Sequence, residues 1–197
     1  MKLIVGITGA TGSILGIKTL EALKLLNVET HLILSKWAAV NIAQETSYSV
    51  QSVNDLASHV YSIKDLGARI SSGSFKTDGM IITPCSMKSL ASIRMGLADN
   101  LISRAADVVL KERRTLVMST REAPLNSIHL ENMLMLSQMG AVITPPVMTF
   151  YNNPSSIDDM ISHTVSRMLD IFGLDMPEAV RWAGLHKSVD KTNNQTK

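Results

Sequence analysis

The sequence has one cysteine, few aromatic residues and no long hydrophobic run, and each scarcity excludes a class of protein. Cys85 cannot form an internal disulfide, so the chain suits a reducing compartment, and we expect it to be cytoplasmic. No apolar stretch approaches the roughly 20 residues of a membrane-spanning helix, so no membrane partner is expected. The formal net charge of +2 is too small to indicate nucleic acid as a partner. A chain of 197 residues can form one domain with a full hydrophobic core.

Short apolar runs rich in β-branched residues alternate with segments of helical periodicity. We predict buried strands over residues 3–8, 30–34, 80–83 (ended by Pro84), 115–119 and 141–144, with a weak strand at 60–61. We predict helices over residues 14–26, 36–45, from about 87, 100–111, 127–138 and 157–172. The segment 46–77 shows the least regular pattern.

This alternation predicts right-handed βαβ crossovers and therefore an α/β fold. We expect a single Rossmann-like, doubly wound parallel sheet with helices on both faces, a three-layer αβα domain over residues 1–187. Residues 188–197 are polar and are expected to form a disordered tail.

The turns after the predicted strands are the places where a ligand site is expected, because doubly wound sheets bind ligands at the carboxyl ends of their strands. These turns lie at residues 9–12, 35, 84–89 and 121–122. Hydroxyl groups there stand beside helix starts, where free N–H groups and the helix dipole favour an anion. Any one of these serines or threonines can instead simply cap a helix.

The composition of these turns favours a mononucleotide over a dinucleotide. The first turn is neither a G-x-G-x-x-G fingerprint nor a P-loop ending in Lys-Ser/Thr. An NAD site also needs Asp or Glu at the end of the second strand for the ribose, and this chain has Ser35 there. FMN is therefore the cofactor that the residues indicate, with Ser86, Lys88 and Ser89 forming a second anion-binding turn.

A second group of residues is basic and aromatic, with two carboxylates that could supply a proton to a phosphorylated substrate. Its members are Arg104, Lys111, Arg121, Tyr151, Arg167, Glu45 and Glu122. Each of the basic residues alone also fits a solvated or salt-bridged surface position.

No metal site is predicted. The five histidines show no metal-ligand spacing and are interpreted as structural, and the pair Asp158–Asp159 is interpreted as the first turn of the last helix. Cys85 follows a buried strand with no obvious base partner, so a packed thiol is favoured over a nucleophile.

Several ordered segments make the chain resemble the UbiX-like flavin prenyltransferase family, older members of which were labelled phenylacrylic acid decarboxylases. The segments are residues 8–12, 72–74, 84–88, 104–108, 110–114, 121–124, 128–133, 150–151 and 181–182. Any one segment alone is weak evidence for the resemblance. The order and spacing of all the segments together are specific, and the resemblance covers nearly the whole chain.

The resemblance implies an enzyme that joins a dimethylallyl group from dimethylallyl phosphate to N5 and C6 of reduced FMN. It implies a homo-oligomer, usually a dodecamer, and a product that serves a separate UbiD-like decarboxylase. The FMN-binding residues would be Gly9, Ala10, Thr11, Ser35, Ser86, Met87, Lys88, Ser89 and Arg121. The substrate-binding residues would be Arg104, Lys111, Tyr151, Arg167 and Trp182. The catalytic residues would be Glu45, Glu122 and Lys111.

The chemistry agrees with the residues present. An allylic monophosphate is a poor leaving group, so cations must offset the developing charge and an acid must protonate the departing oxygen. The chain lacks the aspartate-rich motifs that bind Mg²⁺ in usual prenyltransferases, so metal-independent transfer is expected. Thr11, Ser103 and Met148 depart from the commoner family pattern without removing a catalytic side chain.

Two other functions stay open at this point. An FMN-dependent decarboxylase would want a catalytic histidine on the helix after the first or second strand, and none is seen there. A non-catalytic flavin carrier would have no need of a phosphate clamp such as Lys111, Tyr151 and Arg167.

Overall fold

Six parallel strands form the central sheet in the computed structural model, which describes residues 1–182 and 184. The strands are β1 (Lys2–Ile7), β2 (Glu29–Leu34), β3 (His59–Tyr61), β4 (Gly79–Cys85), β5 (Thr115–Thr120) and β6 (Val142–Ile143). Their order across the sheet is β3-β2-β1-β4-β5-β6, and every neighbouring pair is parallel. This order confirms the predicted doubly wound α/β fold, in which the direction of winding reverses between β1 and β4.

Seven α-helices and one short 3₁₀ helix are found in the described part of the chain. They are α1 (Ser13–Leu25), α2 (Lys36–Glu45), α3 (Val50–Asn54), α4 (Met87–Arg94), α5 (Leu101–Lys111), α6 (Ser127–Gln138), α7 (Ile157–Asp170) and the 3₁₀ turn Arg69–Ser71. Residues of α1, α2, α3 and α7 pack into one buried cluster, and residues of α4, α5 and α6 pack into another. The sheet is thus covered on both faces, as the three-layer prediction requires.

The alternating side chains of β1 show why its sequence is apolar throughout. Leu3, Val5 and Ile7 belong to the cluster beneath α1 and α7, whereas Ile4 belongs to the cluster beneath α4 and α5. Successive residues of a strand point to opposite faces, and both faces of this strand are covered by helices. An apolar run is therefore the pattern that a central parallel strand produces.

The prediction that Pro84 ends the third long strand was wrong, because β4 continues through it to Cys85. The carbonyl of Pro84 accepts hydrogen bonds from the Thr8 amide at 3.2 Å and from the Thr8 hydroxyl at 2.8 Å. Pro84 has no N–H to donate, and the pairing with β5 is irregular between Ile82 and Cys85. β4 therefore accommodates Pro84, whose carbonyl oxygen accepts hydrogen bonds from Thr8, the residue that follows β1.

The segment 46–77 contains α3 and the 3₁₀ turn, which the sequence pattern did not predict, and β3, which confirms the weak strand at 60–61. Asn100 is the N-cap of α5 and not its first residue, with its side chain accepting from the Ile102 and Ser103 amides. The tail predicted for residues 188–197 lies outside the described residues. No helix in the described residues is long and apolar enough to span a membrane.

Candidate active site

The turn after β1 is tied to the end of β4 where the direction of winding reverses. The Thr8 hydroxyl donates to the Pro84 carbonyl and accepts from the Ser86 amide, each at 2.8 Å. The Arg121 amide donates to the Cys85 carbonyl at 3.0 Å, which brings the end of β5 to the same place. Three of the predicted turns therefore meet at one edge of the sheet.

A cavity of about 400 Å³ opens at this edge. Its lining residues are Gly9, Ala10, Thr11, Asn41, Glu45, Ser86, Met87, Arg121 and Glu122. The structure thus brings together six of the nine residues expected to bind FMN and both expected catalytic carboxylates. Ser35, Lys88 and Ser89 are not among the lining residues. The volume falls within the roughly 300–1,000 Å³ typical of small-molecule sites.

Glu45, the last residue of α2, places its carboxylate at the start of α1. Its Oε2 atom accepts from the Gly12 amide at 2.9 Å, the Ser13 amide at 3.1 Å and the Ser13 hydroxyl at 2.9 Å. Partial burial alone would raise the pKa of this carboxyl, but hydrogen bonds from Thr11, Ser13 and Gly12 outweigh it and hold the pKa below its usual value. Glu45 is therefore a carboxylate at neutral pH.

This arrangement changes the expectation for the first turn. The amides at the start of α1 were expected to attract a ligand's anion, but two of them are donated to the protein's own Glu45. The helix dipole there stabilises the carboxylate. Among the residues that line the cavity, Arg121 carries the positive charge that could attract a ligand's anion, and it lies beside the start of α4.

Ser35 and Ser86 are N-caps, so both side chains have a helix-capping role, and their part in binding FMN stays a prediction. The Ser35 hydroxyl oxygen accepts from the Ala38 amide at 3.0 Å, and the Ser86 hydroxyl oxygen accepts from the Ser89 amide at 3.3 Å. Ser86 also donates to the Ser89 hydroxyl at 3.1 Å. Capping does not remove Ser86 from the cavity, where its side chain still lies beside Met87.

Arg121 and Glu122, the two residues after β5, make fewer hydrogen bonds than Glu45. The guanidinium of Arg121 lies 4.0 Å from the Glu122 carboxylate, and both side chains are more than a third exposed. The Glu122 carboxylate also accepts from the Ala123 amide at 3.1 Å. Exposed pairs at this separation are weakly coupled, so both side chains are free to reorient toward a ligand.

The sequence interpretation missed Ser13 and Asn41. Ser13 is fully buried and holds Glu45, and Asn41 lines the cavity from α2. Trp37, Asn41 and Glu45 recur every four residues and so share one face of α2. A Cβ atom on Gly9 would clash with Trp37, so this face packs directly on the first turn. The position of Asn41, four residues before the predicted catalytic Glu45 on the same helix, was the sequence signal that could have placed it in the site.

Arg104 and Lys111 lie together on α5 but away from the cavity. Arg104 donates to the Ser71 carbonyl at 3.1 Å and pairs with Asp107 at 2.7 Å. The Lys111 ammonium pairs with Glu112, beside the Gly73 backbone, where a Cβ atom would clash with both side chains. The turn 71–74 is thus held close to these two basic residues.

Tyr151, Arg167 and Trp182 form a third group against α7. The Tyr151 hydroxyl lies 3.4 Å from His163 Nε2, and the Tyr151 and Trp182 rings meet edge to face with centroids 5.4 Å apart. Arg167 pairs with Asp170 at 2.5 Å. Together they line a separate cavity of about 380 Å³.

One chain therefore does not bring the predicted substrate-binding residues to the predicted flavin site. The lining of the 400 Å³ cavity includes none of the residues Arg104, Lys111, Tyr151, Arg167 and Trp182. The assignment of these five residues to a substrate stays a prediction. A larger cavity of about 600 Å³, between α1 and α7, contains none of the predicted site residues.

Cys85 and the Asp158–Asp159 pair agree with their structural interpretations. Cys85 is completely buried, and burial raises the pKa of its thiol to about 12, so it stays protonated. Asp158 and Asp159 lie in the first turn of α7, where Asp159 completes a capping box with Ser156.

The sheet is doubly wound, and a polar cavity lined by one cation and two carboxylates lies at its switch point. This combination is typical of enzymes that bind a nucleotide-type cofactor. The family model described as Flavoprotein matches residues 1–169. The chain is therefore a flavoprotein by sequence as well as by fold.

Comparison with individual proteins defines the family more narrowly. A probable UbiX-like flavin prenyltransferase of Bacillus subtilis (strain 168) is 60% identical over 187 residues, which cover 95% of this chain and 92% of that protein. The chain belongs to the UbiX-like flavin prenyltransferases.

Two solved structures have the same fold at similar identity. AnUbiX in complex with FMN and dimethylallyl pyrophosphate is 55% identical with a TM-score of 0.93, over 94% of this chain and 98% of that chain. A dodecameric FMN-dependent UbiX-like decarboxylase from Escherichia coli O157:H7 is 58% identical with a TM-score of 0.92, over 93% of this chain and 100% of that chain.

Proposed function

We propose that this protein is a flavin prenyltransferase that transfers a dimethylallyl group from dimethylallyl phosphate to reduced FMN. The observation that carries the proposal is the cavity at the switch point, where Arg121 meets the two carboxylates Glu45 and Glu122. The relatives support it, because the probable flavin prenyltransferase of Bacillus subtilis aligns over nearly the whole chain.

The residues of the cavity fit FMN. Gly9 itself brings no side chain into the cavity, Met87 offers an apolar surface, and Arg121 offers a charge for the phosphate. Ser35, Lys88 and Ser89 complete the proposed flavin set from the second strand end and the first turns of α4. AnUbiX, 55% identical, has been crystallised with FMN, which supports the same cofactor here.

The reaction needs charge compensation and proton transfer and no external oxidant. The C–O bond of the allylic phosphate breaks, and the five-carbon unit forms bonds to N5 and C6 of the flavin. Inorganic phosphate leaves, and the hydrogen displaced at C6 returns to the five-carbon unit. We assign the protonation of the departing phosphate and the removal of the flavin proton to Glu122 and Glu45 as the acid–base pair.

Glu45 suits the role of proton acceptor better than that of donor. Its pKa is held below the usual value by the donors at the start of α1, so the free protein presents it ionised. Glu122, beside the exposed Arg121, is then the residue available to protonate the leaving group. The two carboxylates thus have different environments and different parts in the transfer.

The phosphate of the donor is assigned to the basic and aromatic residues outside the cavity, Arg104, Lys111, Tyr151, Arg167 and Trp182. Lys111 would also act on the leaving group by offsetting its developing charge. Because these residues do not line the flavin cavity of their own chain, we propose that a neighbouring subunit supplies them. The three cations Arg104, Lys111 and Arg167 and the hydroxyl of Tyr151 would make a divalent metal unnecessary for this step.

Because two subunits would share one site, the protein is expected to be a homo-oligomer, and the expected size is a dodecamer. The E. coli relative at 58% identity is a dodecamer. In this chain the segment around Phe150 and the start of α7 expose large apolar side chains, with Val147, Met148 and Ile157 each more than 60% exposed. Exposed apolar patches of this kind mark protein contacts.

The product, a flavin with a fourth ring, would serve a separate UbiD-like decarboxylase in the cytoplasm. The test uses reduced FMN, dimethylallyl phosphate and this protein under anaerobic conditions with EDTA present. After the protein is filtered off, the filtrate is added to an apo-decarboxylase that is inactive alone. We expect the filtrate to activate it, and we expect this protein alone to release no CO₂ from cinnamate-type acids. CO₂ release by this protein alone, or a filtrate that activates nothing, would overturn the proposal.

A further inference from the structure

Two histidines and a glutamate meet at the end of the sheet opposite the candidate active site. Glu29 is the first residue of β2 and His31 follows two positions later, so both side chains point to the same face. In the parallel pairing of β2 with β3, His31 lies directly opposite His59. The two histidines are separated by 27 residues, a spacing that matches no metal-binding motif. The register of β2 and β3 alone brings the two histidines together.

Two of the three separations between the donor atoms match those around a tetrahedral metal ion. Glu29 Oε1 lies 3.2 Å from His31 Nε2 and 3.5 Å from His59 Nε2. Zinc with ligands at about 2.0–2.1 Å places neighbouring ligand atoms about 3.4 Å apart in a tetrahedron. The three ligand atoms all lie within 4.8 Å of one another. The His59 side chain is 37% exposed, so it can rotate to shorten the remaining separation.

The surroundings of His31 suit a metal ligand. Its side chain is fully buried, and both ring nitrogens face polar partners. The Tyr61 hydroxyl lies 2.9 Å from His31 Nδ1. Metal binding uses the tautomer that donates Nδ1–H to Tyr61, as in the hydrogen-bonded histidines of known metal sites, and the ion then replaces the present 3.2 Å hydrogen bond between Nε2 and Glu29 Oε1.

Two cations lie near this cluster and limit its affinity. The Lys2 ammonium is 3.4 Å from Glu29 Oε2, the carboxylate oxygen that the histidines do not share. Lys2 and Arg69 also lie over the Phe75 ring, 5.3 and 5.4 Å from its centroid. Their charge opposes a dication, so micromolar binding is expected in place of the tighter binding of a four-thiolate site.

We propose that Glu29, His31 and His59 form a zinc site, with water as the fourth ligand, that fastens the edge strand β3 to β2. Nitrogen and carboxylate donors in this number fit Zn²⁺ and its spectroscopic substitute Co²⁺. The site stands at the amino-terminal ends of β2 and β3, whereas the flavin cavity stands at the carboxyl ends of β1 and β4. It therefore lies apart from the place proposed for prenyl transfer.

The first test measures metal binding to tag-free, chelator-treated protein by calorimetry with ZnCl₂ and by the visible absorption of added Co²⁺. We expect one ion per chain and a tetrahedral Co²⁺ spectrum. Removing a ligand in His59→Ala or Glu29→Gln should weaken binding at least about tenfold, and Tyr61→Phe should weaken it about tenfold. The matched control, His129→Ala, removes a histidine of α6 that is not part of this cluster and should leave binding unchanged. Absence of binding, or equal weakening in the control, overturns the proposal.

The second test measures urea unfolding with and without zinc. A ligand that binds only the folded state at about 100 times its Kd lowers the unfolding equilibrium constant about 100-fold. We expect that change in the unmodified protein and a change at least about tenfold smaller in His59→Ala, whose partly exposed side chain can be truncated without opening the core. Prenyl transfer should be the same with zinc and with EDTA. A requirement of prenyl transfer for zinc would contradict a purely structural site.

Discussion

Ser13 and Glu45 show how one residue's charge state can depend on a neighbour that touches no ligand. The Ser13 hydroxyl is buried and donates to the Glu45 carboxylate, together with two amides at the start of α1. Hydrogen bonds to a carboxylate stabilise the ionised form and lower its pKa. Ser13 is therefore a positioning residue in this account, acting on the flavin cavity only through Glu45.

Ser13→Ala should raise the pKa of Glu45 toward its ordinary value, because one donor to the carboxylate is lost while partial burial remains. A carboxyl whose folded pKa is depressed is ionised above that pKa, so the acid limb of prenyl transfer should move to higher pH. The contribution of Glu45 to stability, which is present above the unfolded pKa and lost as pH falls through the folded pKa, should shrink as well.

The measurement is the pH profile of the transfer rate at saturating substrates, compared with that of Ser62→Ala, an exposed serine outside the cavity. An acid limb that stays in place, or moves to lower pH, would contradict the role given to Ser13.

Arg121→Ala should weaken FMN binding about tenfold or more, because a hydrogen bond to a charged group contributes about 1.5–3 kcal/mol. Arg121→Lys should recover part of the loss by restoring the charge without the guanidinium geometry. Quenching of flavin fluorescence measures both. Arg94→Ala, at the far end of α4, is the control and should bind FMN normally. Unchanged FMN binding in Arg121→Ala would remove Arg121 from the flavin site.

At the scale of elements, the sequence predicted best where caps and periodicity agree. The bounds of α2 and α6 coincide with their predictions, and both helices begin after a capping side chain, Ser35 and Asn126. Prediction failed at Pro84, because the compensating hydrogen bonds come from Thr8, 76 residues away. The short α3 has only five residues, too few for periodicity to be detected.

The packing of α1 on the sheet depends on Gly16. A Cβ atom there would lie 2.5 Å from the Thr83 carbonyl oxygen and 2.6 Å from Ile7 Cδ1, so the helix would have to move away from β1 and β4. Gly16→Ala should lower the free energy of unfolding by about 1–3 kcal/mol despite the better helix propensity of alanine.

Urea unfolding measures the effect, with Gly67→Ala as the control. A Cβ atom at Gly67 meets its nearest atom, Asp65 Oδ1, at 3.4 Å, and the control should stay within about 0.5 kcal/mol of the unmodified protein. A Gly16→Ala protein as stable as this control would show that the contact is easily relieved.

At the scale of the whole molecule, the candidate residues fall into three groups that one chain keeps apart. Glu45 and Arg121 line the flavin cavity, Lys111 lies at the end of α5, and Tyr151 lines a separate cavity together with Arg167 of α7. The sequence could suggest all three groups by resemblance. It could not show that they are separated, because that depends on tertiary positions and on neighbouring subunits.

Subunit mixing tests whether the site is shared between chains. Glu45→Gln and Arg167→Ala should each be nearly inactive, since each removes one half of the proposed site. When both variants are co-expressed, random assembly should give about a quarter of the flavin sites an intact Glu45 beside an intact Arg167 from a neighbour.

The recovered prenyl-transfer rate of the mixed oligomer, with its size measured by light scattering, reports the result. The control is Glu45→Gln co-expressed with Glu45→Gln/Arg167→Ala, which has no intact Glu45 and should stay inactive. A mixture no more active than that control, or an unmodified protein that is active as a monomer, would contradict a shared site.

The central claim is that the protein forms new bonds between a five-carbon unit and reduced FMN. Glu45 and Glu122 are its proposed acid–base residues, and acid–base catalysis contributes about a hundredfold or more. Glu45→Gln and Glu122→Gln should therefore slow transfer by about that factor while binding FMN nearly as well as the unmodified protein. Glu178→Gln, an exposed glutamate that lies outside the flavin cavity, is the matched control and should keep full activity.

The most direct test is the mass of the flavin released after anaerobic incubation of the protein with reduced FMN and dimethylallyl phosphate. We predict a flavin heavier than FMN by one C₅H₈ unit, formed at full rate with Glu178→Gln and slowly with Glu45→Gln. A flavin recovered at the mass of FMN, from protein shown to bind both compounds, would contradict this prediction.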